Sequence, residues 1–201
     1  MKLESKTVPV RIIGAGLAGC EAAWQLVSAG IEVEIYEMRP TAMTPAHKTG
    51  GWAELVCSNS LGAVDLSNAS GLLKAELKQL GSLLIRVAQD AALPAGGALA
   101  VDRNRFSALV EGTLKKCPLI KHICKEITEI PDCSPSTPVI VATGPLTSEP
   151  LAYAIRNLTG HGGFSFYDAI SPIVTFDSLD LSCLFSQSRY DKGNGADYLN
   201  A

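Results

Sequence analysis

A run of β-branched apolar residues, Val10, Ile12 and Ile13, passes directly into Gly14-Ala15-Gly16-Leu17-Ala18-Gly19 and then into a helix-forming stretch whose small residues include Ala23. This order predicts a buried strand, a glycine turn and a helix that closes at Gly30, followed by a second strand over residues 31–36 that finishes in Glu37. Residues 38–60 are rich in Pro, Thr, Gly and His and show neither strand nor helix periodicity, which predicts a long functional loop. Leu72, Leu73, Leu77, Leu80, Leu84 and Val87 then recur at helical spacing. A single helix is expected over residues 69–91, capped by Ser67 or Asn68 and weakened by Gly71 and Gly81.

Beyond the break at Pro94-Ala95-Gly96-Gly97, the pattern predicts a strand over residues 98–101, an amphipathic helix over 103–116 and one or two short strands within 120–130. A buried strand over 138–141 follows and ends in the small-residue turn Ala142-Thr143-Gly144. Strands alternating with helices imply an α/β fold with a parallel sheet. From about residue 162 the pattern changes to short aromatic and β-branched strands, at 164–167, 173–176 and 184–186. Residues 1–160 are therefore expected to form a cofactor-binding domain, and residues 161–201 the start of a second, largely antiparallel one.

Composition narrows the class. Hydrophobic residues make up 47% of the 201, enough for a buried core. No apolar run reaches transmembrane length, and the first residues contain an acid and lack the apolar core of a signal peptide, so a cytoplasmic location without membrane attachment is expected. The six cysteines, Cys20, Cys57, Cys117, Cys124, Cys133 and Cys183, are irregularly spaced without a C-x-x-C pair. They are read as reduced thiols rather than as a zinc site or a disulfide framework, and no metal is expected. The net charge of −3 gives no sign of a nucleic-acid partner at the level of the whole chain. Lys115, Lys116, Lys121, His122 and Lys125 cluster locally and read as a solvated face.

The glycine turn carries the first chemistry. Gly14 permits the tight turn, Gly16 lets backbone N–H groups approach a pyrophosphate, and Gly19 lets the helix lie against the strand. Glu37, followed by Met38 and Arg39, is placed to accept both hydroxyls of an adenosine ribose. The Ala142-Thr143-Gly144 turn suits a second close approach of backbone to cofactor, which favours FAD over NAD. The cofactor-binding candidates are thus Gly14, Ala15, Gly16, Leu17, Ala18, Gly19, Glu37, Met38, Arg39, Ala142, Thr143 and Gly144.

A further segment, Ala53-Glu54-Leu55-Val56-Cys57-Ser58-Asn59-Ser60-Leu61, has no counterpart in a generic flavoprotein domain. Taken with the glycine turn, Tyr36-Glu37-Met38-Arg39-Pro40, Thr44-Pro45-Ala46-His47, the block from Pro94 to Arg103, Ala142-Thr143-Gly144-Pro145-Leu146-Thr147-Ser148 and Ser188-Arg189-Tyr190-Asp191-Lys192-Gly193, it resembles the folate- and FAD-dependent tRNA (uracil-C5) methyltransferase family, TrmFO, formerly Gid, over nearly the whole chain. The resemblance implies a glutathione-reductase-like FAD-binding Rossmann domain leading into a partial α+β insertion domain. It implies methylation of a T-loop uridine to ribothymidine, with the tRNA T-arm as partner, carbon from 5,10-methylenetetrahydrofolate, FAD as cofactor and NAD(P)H as electron source.

By the same resemblance Cys57 is the nucleophile. Uracil C5 is a poor nucleophile until a thiolate adds at C6, so covalent catalysis divides one hard step into easier ones. Without the motif, a lone cysteine reads as a packed, inert thiol. Arg39, His47 and Lys48 are the candidate cations that would lower its pKa. Substrate contacts are expected at His47, Lys48, Arg189 and Lys192; the last two suit a phosphate or a folate carboxylate, or an ordinary ion pair with Asp191.

The family pattern continues from Tyr198-Leu199-Asn200 into a second functional cysteine, whereas here Ala201 follows. An N-terminal part of a longer family member is the expectation. Two other readings stay open. One is an FAD-binding module without turnover. The other is a relationship to the tRNA wobble-uridine modifying flavoprotein MnmG, whose Gly-Cys-Glu-Ala-Ala helix start resembles Gly19 to Ala23 but which does not account for the Cys57 block.

Overall fold

The structure, a computed structural model, describes residues 8–160, 174–187 and 198–200. Its elements run β1 (Val10–Ile13), α1 (Leu17–Ser28), β2 (Val33–Glu37), β3 (Ser60–Ala63), α2 (Ala69–Gln79), α3 (Leu83–Asp90), β4 (Ala92–Leu93), β5 (Ala98–Val101), α4 (Arg103–Lys115), β6 (Ile120–Cys124), β7 (Val139–Val141), α5 (Glu149–Thr159), β8 (Phe185–Gln187) and β9 (Tyr198–Asn200). Short 3-10 turns lie at Gly144–Leu146, Phe176–Ser178 and Leu181–Cys183. By contact density the chain divides into two compact units, Met1–Glu54 with Ser107–Asp168, and Leu55–Phe106 with Ala169–Ala201.

The first unit is built on a parallel sheet of order β6-β2-β1-β7. Parallel neighbours need a crossover, and α1 supplies it between β1 and β2. Ile12, Val33 and Ile35 are fully buried in this sheet, and α1 turns Gly19, Cys20 and Ala23 inward. Those residues are small because the helix lies very close to the turn. A Cβ on Gly19 would stand 1.9 Å from the Gly14 carbonyl oxygen, and a Cβ on Gly14, whose φ is +100°, would stand 2.7 Å from that of Ala142. Strand order reverses at β1, with β2 on one side and β7 on the other. In an open parallel sheet this opens a crevice at the C-terminal strand ends. The α/β fold with a parallel sheet and flanking helices is thus the one expected from the alternating pattern.

The second unit holds the antiparallel sheet β3-β5-β4, helices α2 and α3, and the antiparallel pair β8-β9. The single helix expected over 69–91 is two. Gly81, at φ +73°, ends α2 in a Schellman arrangement: its N–H donates to the Lys78 carbonyl and the Ser82 N–H to that of Leu77. The Ser82 hydroxyl then caps α3 by accepting the Ile85 N–H at 3.2 Å. Leucine spacing carried across this break and masked it. α3 buries Leu83, Ile85, Val87 and Ala88.

Other expectations shift as well. Only residues 120–124 of the 120–130 stretch form a strand. Instead of a strand reaching residue 176, Phe176–Ser178 is a 3-10 turn; residue 173 and the strand expected at 164–167 lie outside the described residues. The strand expected at 184–186 is β8, one residue further on. Helix α5 was not expected, although Ser148, Glu149 and Pro150 at its start and Gly160 in the left-handed region at its end are ordinary boundary signals.

Two glycines inside helices make opposite predictions. A Cβ on Gly112 in α4 would meet nothing within 4 Å, whereas one on Gly71 in α2 would lie 2.0 Å from the Asp65 carbonyl oxygen. Urea unfolding should show Gly112→Ala more stable by about 0.5–1 kcal/mol, from helix propensity alone, and Gly71→Ala less stable than the parent.

Candidate functional site

The C-terminal ends of the four parallel strands and the segments that follow them line one cleft. Ile13, Gly14 and Gly16 come from β1 and its turn, Tyr36, Glu37, Met38 and Arg39 from β2, Lys125, Glu126 and Ile127 from the segment after β6, and Ala142 and Thr143 from the turn after β7. Thr44 and His47 of the long loop and Leu146, Thr147, Ser148 and Leu151 before and within α5 complete it.

The N-terminus of α1 opens at Gly16, which offers no side-chain cap to the helix. Helix N–H groups of the first turn have no intrahelical acceptor, and the helix dipole favours an anion there. Gly14 and Gly19 are glycines because protein atoms forbid a side chain. Gly16 differs, since a Cβ there would meet no heavy atom within 4 Å. Packing by protein atoms does not explain its lack of a side chain, and the open space beside the turn is what a phosphate would need. The residues present therefore fit a dinucleotide.

Glu37 is buried, and it is saturated. Its Oε2 accepts the Ala15 N–H at 2.9 Å and Nη2 of Arg39 at 3.2 Å, and its Oε1 accepts the Arg39 N–H at 3.0 Å and Nε at 2.9 Å. The Arg39 side chain, also buried, reaches Glu54 through Nη1 at 3.1 Å. Glu54 in turn accepts the Lys48 N–H, the Thr49 N–H and the Thr49 hydroxyl. The triad thus ties the long loop to the end of β2. Burial alone would raise the Glu37 pKa, but the bonds and charge of Arg39 and the Ala15 N–H outweigh it and hold Glu37 below its ordinary value.

The remaining expected residues fall in several places. Ala15 donates its N–H to Glu37, and its carbonyl accepts the Ala53 N–H at 2.9 Å and the Cys20 thiol at 3.3 Å. Burial and the Glu37 charge push the Cys20 thiol up to about 12, so it stays protonated. Leu17 and Ala18 are exposed at the start of α1. Gly144, at φ +65°, begins the 3-10 turn, whose Thr147 hydroxyl bonds the Gly144 carbonyl and the Thr143 hydroxyl. His47 lines the cleft with Nδ1 2.6 Å from the Thr44 hydroxyl, and burial, then the Arg39 charge, lowers its pKa.

Cys57 belongs to the second unit, as a half-buried free thiol. Two residues on, Asn59 is pinned to the end of β5, accepting the Val101 N–H at 2.9 Å and donating its amide to the Val101 carbonyl at 3.2 Å. Of the cations expected to activate this thiol, Arg39 is engaged by two carboxylates and His47 is shifted toward its neutral form. Lys48 is seen here through its backbone N–H, bonded to Glu54. Arg189 and Lys192 lie outside the described residues. Lys125, Glu126, Ile127 and Thr147 were missed from sequence. Lys125 reads as one of a solvated lysine cluster until the strand order places it at the cleft. Among the described residues no His/Cys/Asp/Glu group could hold a metal, and no helix is long and apolar enough to cross a membrane.

The sequence matches the family model of glucose inhibited division protein A over residues 9–201. The chain belongs to this family. The chain is 59% identical over 191 residues to the methylenetetrahydrofolate–tRNA-(uracil-5-)-methyltransferase TrmFO of Heliobacterium modesticaldum, covering 95% of this chain and 43% of the relative. It is 54% identical over 191 residues to the TrmFO of Bacillus subtilis, with the same 95% and 43% coverage. The chain therefore spans under half the length of these relatives. Among solved structures, GidA of Aquifex aeolicus superposes with a TM-score of 0.55 at 16% identity, covering 72% of this chain and 26% of that one. At that identity the likeness speaks for the fold.

A group whose pKa is lower folded than unfolded stabilises the fold above its unfolded value, and this contribution is lost as pH falls through the folded one. Glu37 is such a group. In melting curves, the parent should lose stability on acidification from about pH 4.5 downward, starting at the ordinary glutamate value. Glu37→Gln should start from a lower melting temperature at neutral pH and fall less steeply over that range.

Proposed function

We propose that this chain is the FAD-binding, N-terminal portion of a folate-dependent tRNA (uracil-C5) methyltransferase. The observation that supports this most is identity above one half, across 95% of the chain, to relatives that bear that activity in their names. Gly14 to Gly19 would hold the pyrophosphate at the α1 N-terminus, and Glu37 the adenosine ribose. Met38 and Arg39 stand beside that acid, Ala142 and Thr143 line the same cleft, and Gly144 follows them in the turn. In functional terms residues 1–160 would form the cofactor domain, and residues 161–201 would begin a second one.

FAD, when bound and reduced by NAD(P)H, supplies the electrons that turn a one-carbon unit from 5,10-methylenetetrahydrofolate into a methyl group. The role of the chain's own residues is covalent. The Cys57 thiolate adds to C6 of a T-loop uracil, forming an S–C6 bond and leaving C5 as the nucleophile that takes the carbon. Loss of the C5 proton and expulsion of the thiolate restore the ring. His47, Lys48, Arg189 and Lys192 are the cations and donors available to phosphates or the folate carboxylates. The coverage of the relatives keeps a second reading in play, a cofactor-binding module without turnover.

Two variants separate these readings. The Cβ that Gly16→Val adds meets no protein atom within 4 Å, so the variant should fold as the parent and purify without flavin absorbance; a variant as yellow as its parent would overturn the site. Cys57→Ala should keep flavin and lose ribothymidine formation in tRNA supplied with methylenetetrahydrofolate and NAD(P)H. Methyl transfer at the parental rate by Cys57→Ala would remove the covalent role, and a flavin-loaded parent without any transfer would favour the binding module.

A further inference from the structure

The acid assigned to the ribose has no free edge. A carboxylate offers roughly four lone-pair positions, and Glu37 fills them with the Ala15 N–H, the Arg39 N–H, and Nε and Nη2 of Arg39. A ribose diol would bring two more donors to this carboxylate. Two of the existing donors are backbone groups set in place by other contacts. Ala15 sits in the glycine turn, where its carbonyl also holds Ala53 and Cys20, and the Arg39 N–H follows directly on β2, whose Glu37 carbonyl accepts the Lys125 N–H. Only the Arg39 side chain, among the described partners, can leave Glu37 without disturbing the backbone. It has somewhere to remain, because Nη1 already bonds Glu54, itself fixed by Lys48 and Thr49.

We propose that Arg39 is a displaceable cover on the ribose acid: the adenosine hydroxyls bind Glu37 by replacing Nε and Nη2 of Arg39, which stays tethered to Glu54 through Nη1. The inference rests on the dinucleotide reading of the cleft and adds a specificity role for Arg39. Every hydroxyl bond gained on Glu37 replaces an arginine bond, so the site discriminates weakly for the diol while Arg39 is present. Removing the arginine leaves the carboxylate to the hydroxyls alone.

The test is titration calorimetry of the nucleotide-free chain with ADP and with 2′,3′-dideoxy-ADP, for the parent and for Arg39→Met. The ratio of the two dissociation constants should rise about tenfold or more in Arg39→Met, the worth of a hydrogen bond to a charged acceptor. An unchanged or smaller ratio, with both ligands still bound, would overturn the cover and leave the dinucleotide site standing. Failure of the parent to bind either ligand would instead remove the site, and the proposal with it. Because Arg39→Met strips a partner from a buried acid and can fail to fold, a second measurement uses the parent alone. Hydrogen exchange at the Arg39 Nε–H, read by NMR, should quicken on addition of ADP and stay slow with dideoxy-ADP. The same slow exchange with both ligands would overturn the proposal.

Discussion

Two carbonyl oxygens decide how the sheet's C-terminal edge is put together. The Gly14 oxygen occupies the space a Gly19 side chain would need, and the Ala142 oxygen occupies that of Gly14. With both side chains absent, β1, the start of α1 and the turn after β7 meet within van der Waals distance. This meeting sets the direction of the Ala15 N–H toward Glu37 and leaves the first turn of α1 open to the cleft. The geometry of the cleft is thus a consequence of backbone packing at two glycines, and the third, Gly16, lines it free of such packing.

From that fixed turn the electrostatics follow. Glu37 and Glu54 share one guanidinium, so the triad carries a net negative charge in a buried place, which is costly in itself. Backbone N–H groups of Ala15, Arg39, Lys48 and Thr49 offset it. Losing one partner of such a buried pair costs about 3–5 kcal/mol, whereas its net worth over an apolar substitute is small. The size of that asymmetry argues that the arrangement exists for position rather than for stability. It holds an ionised acceptor at the end of β2 and orders the loop that leads toward Cys57.

The legible parts of the chain were those where one segment contains its own explanation. Val10 to Gly19 specifies strand, turn and helix within ten residues, and Glu37 follows at the end of the next apolar run. What was not legible depends on partners distant in sequence. Lys125 looks like a surface lysine until β6 pairs with β2, and Arg39 looks like a free cation until Glu54, fifteen residues on, is seen to hold it. The break at Gly81 was hidden for a different reason: leucines continue at helical spacing through it, and periodicity does not register one residue at positive φ. Short strands such as Ala92–Leu93 exist through pairing with β5 rather than through their own residues.

The same distinction bears on Cys57. Glu54, before it, is held by Arg39 and by the Lys48 and Thr49 amides, and Asn59, two residues beyond it, is bonded to Val101. Ala53, just before Glu54, is fully buried in the left-handed region at φ +50°, a conformation costly for a residue with a Cβ and maintained here by its N–H bond to the Ala15 carbonyl. Under the covalent role proposed above, a thiol two residues from backbone bonded in this way would hold its position better than one on a free loop.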